Sequence, residues 1–193
     1  MIFKNTISKE ELAKMPKEVF PGKIVVVNTE DGVKEAISYL SSFPEIGFDT
    51  ETRPNFTKYT RHKMSLVQLS SEDTCFLIRL RHFKTMPVAL ESFLKNQNVK
   101  KIGLSLRDDF NGLHFLTQIA LNNFIDLQQY IKQFGIEEQS LRKIYAILFG
   151  KKISKSQQTS NWDAEILTEP QMNYAALDAW SCLRIYQFLE QLK

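Results

Sequence analysis

Apolar positions along the chain alternate between two periods, and each change of period marks an element. Ser8 followed by Glu11 at the head of "ISKEELAKM" is the capping-box pattern of a short helix. "PGKIVVVNT" is a turn leading into a β-branched strand. Val33, Ile37 and Leu40 are spaced for a helix that ends before Pro44. "EIGFDTE" predicts a strand, broken by Pro54 and a polar, basic loop, "NFTKYTRHK". "MSLVQLS" and "TCFLIRL" flank the turn "SED" as a hairpin. "MPVALESFLKN" reads as a helix with Pro87 near its start, and "VKKIGLSL" as a further strand. "DDFNGLHFLTQIAL" predicts a helix from Asp108 onward, "NFIDL" a short strand, and helices fill most of the remainder. Strands interleaved with helices predict an α/β fold with a mixed sheet, part of it antiparallel because of the hairpin. Neither repeats nor a linker divide the chain, so a single domain is expected.

Composition narrows this picture only slightly. A chain of 193 residues, 43% hydrophobic and 24% charged, suits one well-buried soluble domain. The net charge of +3 is compatible with a polyanionic partner without requiring one. Cys75 and Cys182 fit no zinc spacing and read as buried small hydrophobes in a reducing compartment. Lys4, Lys9 and Glu10 interrupt the N-terminus before any signal-length apolar run, and no run approaches membrane-spanning length. The expected location is cytoplasmic.

The chemistry concentrates in acids placed at element ends. Asp49 and Glu51 are two apart in a strand, so their carboxylates share one face. Buried like charges of this kind need a cation. Asp108 and Asp109 follow the strand "KIGLSL", where one could cap the next helix and the other turn toward the strand end. Tyr174 and Asp178 are four apart and share a helix face with Leu177 and Ser181. Carboxylates converging from two strand ends and one helix would form an all-oxygen site suited to Mg²⁺ or Mn²⁺ rather than zinc. His62, His82 and His114 show no ligand spacing. Two ions about 3.5–4 Å apart would clamp the attacking and leaving oxygens of a phosphodiester.

"FDTETRP", "KIGLSLRDDFNGL" and "YAALD" resemble, in order, the three motifs of DEDD 3′–5′ exonucleases, with Tyr-x-x-x-Asp marking the tyrosine subclass. "LVQLS", "FIDLQ", the Arg53–Pro54 pair and "KSQQTSNWDAEILTEPQMNYAALDAW" are most similar to the branch containing ribonuclease D and the Werner-syndrome exonuclease domain. The resemblance runs from about Lys23 to the C-terminus, leaving residues 1–22 as an extension bearing the short helix and 23–193 as the exonuclease domain. It implies a ribonuclease H-like fold and removal of nucleotides from the single-stranded 3′ ends of nucleic acid by two divalent ions, Mg²⁺ or Mn²⁺. DNA is weighed slightly ahead of RNA. Asp49, Glu51 and Asp178 would hold the first ion. Asp49 would bridge to the second, with Asp109 contributing to it, and Tyr174 would position the attacking water. Asp109 is preferred to Asp108 by its spacing from Gly103.

The resemblance also points to substrate contacts at Thr50, Arg53, Lys155, Gln157, Asn161 and Trp162. Trp162 has two readings, a base-stacking platform and an anchor packed beneath its loop, of which packing is preferred. Arg61, His62 and Lys63 form a second basic cluster that either lines the groove or is solvated. The alternatives to an exonuclease are a catalytically decayed nucleic-acid-binding scaffold and an internal-cutting nuclease of the same fold class. Asp178 lies fifteen residues from the last residue, so processivity is expected to need a partner or an oligomer.

Overall fold

The computed structural model of the chain describes residues 3–55 and 62–193. Its centre is a six-stranded mixed sheet in the order β1-β4-β3-β2-β5-β6. The strands are β1 (Lys23–Val27), β2 (Glu45–Thr52), β3 (Met64–Ser70), β4 (Thr74–Arg79), β5 (Lys100–Gly103) and β6 (Phe124–Asp126). β2–β3 and β3–β4 are antiparallel, and the remaining pairings are parallel. The expected α/β class with one mixed, helix-flanked sheet is the observed one. Of the loop "NFTKYTRHK", residues 56–61 lie outside the described residues, and Arg61 of the second basic cluster with them.

The strand alternation sorts side chains to two cores. On one face Ile46 and Phe48 of β2, both fully buried, pack with α2 (Glu30–Leu40), α3 (Val88–Lys95) and α4 (Arg107–Leu116). On the other, Leu66 and Ile102 meet α5 (Leu127–Tyr130), α6 (Leu141–Phe149) and α7 (Glu169–Glu190). Each fully buried Leu, Ile or Phe contributes roughly 1.5–3 kcal/mol of hydrophobic stabilisation. Asp49 and Glu51 therefore fall on the face covered by α7, and Thr50 between them falls on the other.

Caps set the helix starts. Ser8 and Glu11 close the expected capping box on α1 (Lys9–Lys14). Thr168 and Gln171 close another on α7, with Pro170 in its first turn. Cys75 and Cys182 are buried free thiols, as expected. Two elements depart from the sequence pattern. β5 ends at Gly103, and α4 ends at Leu116 rather than continuing to Leu121. At Thr117 the backbone turns extended, its hydroxyl donates to Glu91, and Asn122 donates through its backbone to the Leu94 carbonyl at 3.2 Å. These ties to α3 carry Ile119 and Leu121 into the core from an extended segment, which outweighs their helical spacing.

Candidate active site

β2 is a central strand between β3 and β5, and Asp49 and Glu51 lie in its C-terminal half, beyond the last β5 pairing at Gly47 and still laddered to Gln68 and Leu66 of β3. α7 crosses directly above them, because residue 47 is glycine. A Cβ at Gly47 would overlap the carbonyl of Ala179. That close approach sets Asp178, the residue before Ala179, beside Asp49. Carboxylate oxygens of Asp49, Glu51 and Asp178 lie within 4.8 Å of one another.

Asp109 reaches the same strand end from the opposite face. Neither Asp108 nor Asp109 caps α4; its N-cap is Leu106, without a side-chain bond, and both acids occupy the first turn. Asp108 is exposed, whereas Asp109 accepts a hydrogen bond from the Thr50 hydroxyl. The turn that aims α4 is held by a residue of the "FIDLQ" stretch to which the motifs assign no role. The Asp126 carboxylate accepts from the amides of Ser105 at 3.0 Å, Leu106 at 3.1 Å and Gln128 at 2.9 Å. Ser105 stands at φ 59°, a left-handed conformation that these bonds sustain against its intrinsic cost.

The electrostatics are those of crowded acids. Burial, then the Asp109 and Asp178 charges, push Asp49 well above the usual carboxylate range. Burial and Asp49 push Glu51 up to about 10. Burial raises Asp178 to about 7 against the Tyr174 hydroxyl and Arg142, which favour its charged form. Asp109 rises to about 6, with the Thr50 hydrogen bond holding it back. The Tyr174 phenol is pushed far up by burial and by Asp178 and Glu51, so it stays protonated across the neutral range. Cys182, in the cleft wall, is likewise raised by burial and the acids, which removes it as a nucleophile.

Among the described residues, no lysine or arginine forms an ion pair with any of the four acids. Crowded, oxygen-only and without a paired cation, this donor set fits divalent metal ions. The three clustered carboxylates suit a divalent ion, and Asp109 stands outside that group.

Asp49, Glu51 and Asp178 open into a cleft of about 310 Å³. Thr50 and Lys155 line it, together with Gln158 of the "KSQQTSNW" stretch and Arg142, which no motif covers. Arg142 sits in the first turn of an ordinary amphipathic helix, where nothing in the local pattern distinguishes it. Its Nε donates to the Ile153 carbonyl at 2.5 Å. Gln157 accepts from the Ser160 hydroxyl at 2.6 Å, and the Asn161 carbonyl accepts from Gln171 at 3.2 Å, so both brace the loop before α7. Trp162 is 1% exposed, with its ring 6.1 Å from that of Tyr174. The packed of its two readings is the observed one: it offers no face to a base and supports the tyrosine instead. Arg53 is half-buried just beyond β2. Lys151, in the same basic stretch as Lys155, is tied to Glu18 at 3.1 Å.

A 3′–5′ exonuclease family model matches residues 24–192, and the chain belongs to that family, whose members are hydrolases of nucleic-acid phosphodiester bonds. It is 33% identical over 187 residues to the mouse bifunctional 3′-5′ exonuclease/ATP-dependent helicase WRN, covering 92% of this chain and 13% of that protein. It is 30% identical over 154 residues to DNA polymerase I of Aquifex aeolicus, covering 79% of this chain and 25% of that protein. The chain thus spans a quarter or less of these relatives. Among solved structures, the Nibbler EXO domain of Aedes aegypti superposes with a TM-score of 0.80 at 25% identity, covering 90% of this chain and 91% of that one.

Proposed function

We propose that the protein removes nucleotides from the 3′ end of single-stranded nucleic acid, with DNA weighed ahead of RNA, using two divalent ions, Mg²⁺ or Mn²⁺. The observation that carries this reading is the convergence of Asp49, Glu51 and Asp178 within 4.8 Å, with no paired cation among the described residues, in an exonuclease-family chain. The likeness to a DNA polymerase I weighs toward DNA.

In this reading Asp49, Glu51 and Asp178 hold the first ion and Asp109 contributes to the second. Ions bound there supply charge neutralisation and acidify water, as phosphodiester hydrolysis requires. The chain's own residues do the rest. Tyr174, kept protonated by its surroundings, hydrogen-bonds the attacking water and holds it in line. Its ring is fixed on a rigid helix and backed by buried Trp162. The water oxygen bonds to phosphorus, the bond from phosphorus to the preceding 3′ oxygen breaks, that oxygen takes a proton, and a 5′-mononucleotide leaves. Thr50 positions Asp109, Lys155 and Arg142 face the phosphate, and Arg53 lies at the strand end. Gln157 and Asn161 shape the loop that presents Lys155.

The test is degradation of 5′-labelled DNA and RNA oligonucleotides with each metal, alongside Asp49→Ala and a 3′-blocked substrate. A ladder shortening from the 3′ end, absent with Asp49→Ala and stalled by the block, is the expected result. Cutting that ignores the block would make the protein an internal cutter. No metal-dependent cutting at all would make it a binding scaffold.

A further inference from the structure

An exonuclease consumes one nucleotide at a time, but its substrate is a chain whose remaining phosphates need a path. A second cleft, of about 460 Å³, adjoins the carboxylate cleft and shares Ser140, Arg142, Ile153 and Lys155 with it. Lys9, Lys17, Arg142, Lys143, Lys152 and Lys155 line it, and no carboxylate does.

The outer wall is built by residues before β1. Ile7 and Leu12 pack with Ala146 of α6. The Ile7 amide donates to Glu138 at 3.0 Å, and the Glu137 amide donates to the Asn5 carbonyl at 3.0 Å. Lys152 and the 16–18 segment exchange backbone bonds of 2.9 Å in each direction, forming a parallel bridge between Lys17 and Lys152. α1 is therefore docked as a fixed wall. Some of the cations are occupied: Lys143 pairs with Glu138 at 2.8 Å, and Lys152 donates to the Ala13 carbonyl. Lys9, Lys17 and Lys155 are exposed and have no side-chain partner among the described residues.

We propose that this cleft is the track for the strand 5′ of the scissile bond, with the exposed Lys9 and Lys17 taking phosphates. This rests on the exonuclease reading for the site itself. Three features select a strand over other anions. The cleft is concave rather than flat, which suits a chain better than a membrane surface. It is continuous with the reacting centre. It carries many more cations than a single departing mononucleotide would use. Contacts to phosphate do not distinguish bases, so the track reads no sequence.

The test compares wild type with the Lys9→Gln/Lys17→Gln double variant on single-stranded deoxyoligonucleotides of three and twelve nucleotides. Binding is measured by anisotropy in EDTA, and turnover is measured with Mn²⁺. Each lost phosphate contact lowers the slope of log K against log salt by about 0.7 for a single strand, so two lower it by about 1.4. From 50 to 200 mM salt the wild type then loses about sevenfold more affinity for the twelve-mer than the variant does. KM for the twelve-mer rises with kcat unchanged, while turnover of the three-mer, too short to enter the second cleft, stays the same. Equal salt slopes, or equal KM changes on both lengths, would overturn the track. If the wild type degrades 3′ ends while the slopes agree, only the track fails. If it degrades nothing while the slopes still differ, the exonuclease reading fails and the basic strand site stands.

Discussion

Replacing Asp178 by asparagine removes one charge from a cluster that, without metal, repels itself. The sign follows from the direction of the shift. Asp178 rises from an ordinary 3.8 to about 7 in the folded protein, so the folded state binds a proton more tightly than the unfolded chain. Stability from this group is complete below pH 3.8 and is lost as pH rises, until the folded group ionises near 7. Between pH 5 and 7 the loss is about 1.4 kcal/mol per pH unit, so close to 3 kcal/mol disappears from pH 5 to pH 8. That is a large part of a total of about 5–15 kcal/mol. Asparagine, which does not titrate, escapes the loss. Urea unfolding in EDTA at pH 5 and pH 8 should therefore show Asp178→Asn gaining about 3 kcal/mol on the wild type over that interval. Because the other acids are also raised and share protons with Asp178, the wild type itself should weaken with rising pH, opposite to most acid-rich proteins. A constant difference between the two proteins would show that Asp178 is not buried from water as described, and a wild type that strengthens from pH 5 to pH 8 would show that the acids are not crowded.

Further expectations follow from the same geometry. Mg²⁺ or Mn²⁺ at pH 8 should raise the melting temperature of the wild type well above its EDTA value, and that of Asp49→Asn much less; equal rises would place the ions elsewhere. Tyr174→Phe should lower kcat by about 10–100-fold while leaving the metal concentration for half-maximal activity in place, and unchanged turnover would remove its positioning role. Gly47→Ala forces a methyl group into the Ala179 carbonyl, so it should cost about 1–3 kcal/mol or more in urea unfolding, and activity should fall as α7 lifts from β2. Asp126→Ala strands two amides of the strained turn at Ser105 and the Gln128 amide at the head of α5. It should cost about 1–3 kcal/mol and lower kcat through Asp109, whereas stability and kcat both at wild-type level would refute the bracing role.

Much of this site was legible in the chain because its chemistry needs particular residues at ends of regular elements. Asp49 and Glu51 stand out since two acids directly after Ile46 and Phe48 break an apolar strand. Tyr174 and Asp178 share a helix face by their four-residue spacing, which alone suits a core tyrosine beside a surface acid; the other acids and the Tyr-x-x-x-Asp motif single them out. The parts that were not legible depend on partners remote in sequence. Asp126 looks like the end of a short strand, and its grip on Ser105 and Leu106 spans 21 and 20 residues. Arg142 is indistinguishable from any basic residue on a surface helix until α6 is docked. The early end of α4 is decided by Glu91 and Leu94 of a different helix, which no periodicity within residues 107–121 encodes. Lys9, Leu12, Ala13 and Lys17, from the stretch set apart by motif, line the outer wall of a cleft.

α7 is 22 residues long and lies against β2, β3, β4 and β5, with Asp178 in its middle rather than at an end. Helix ends fray and loops open locally, but the centre of a helix packed on four strands is released only when the whole body comes apart. The amide of Asp178 should be among the slowest in the protein to exchange with solvent deuterium. The site would consequently keep its shape until the molecule unfolds as a unit, and heat would abolish catalysis and structure together rather than one before the other.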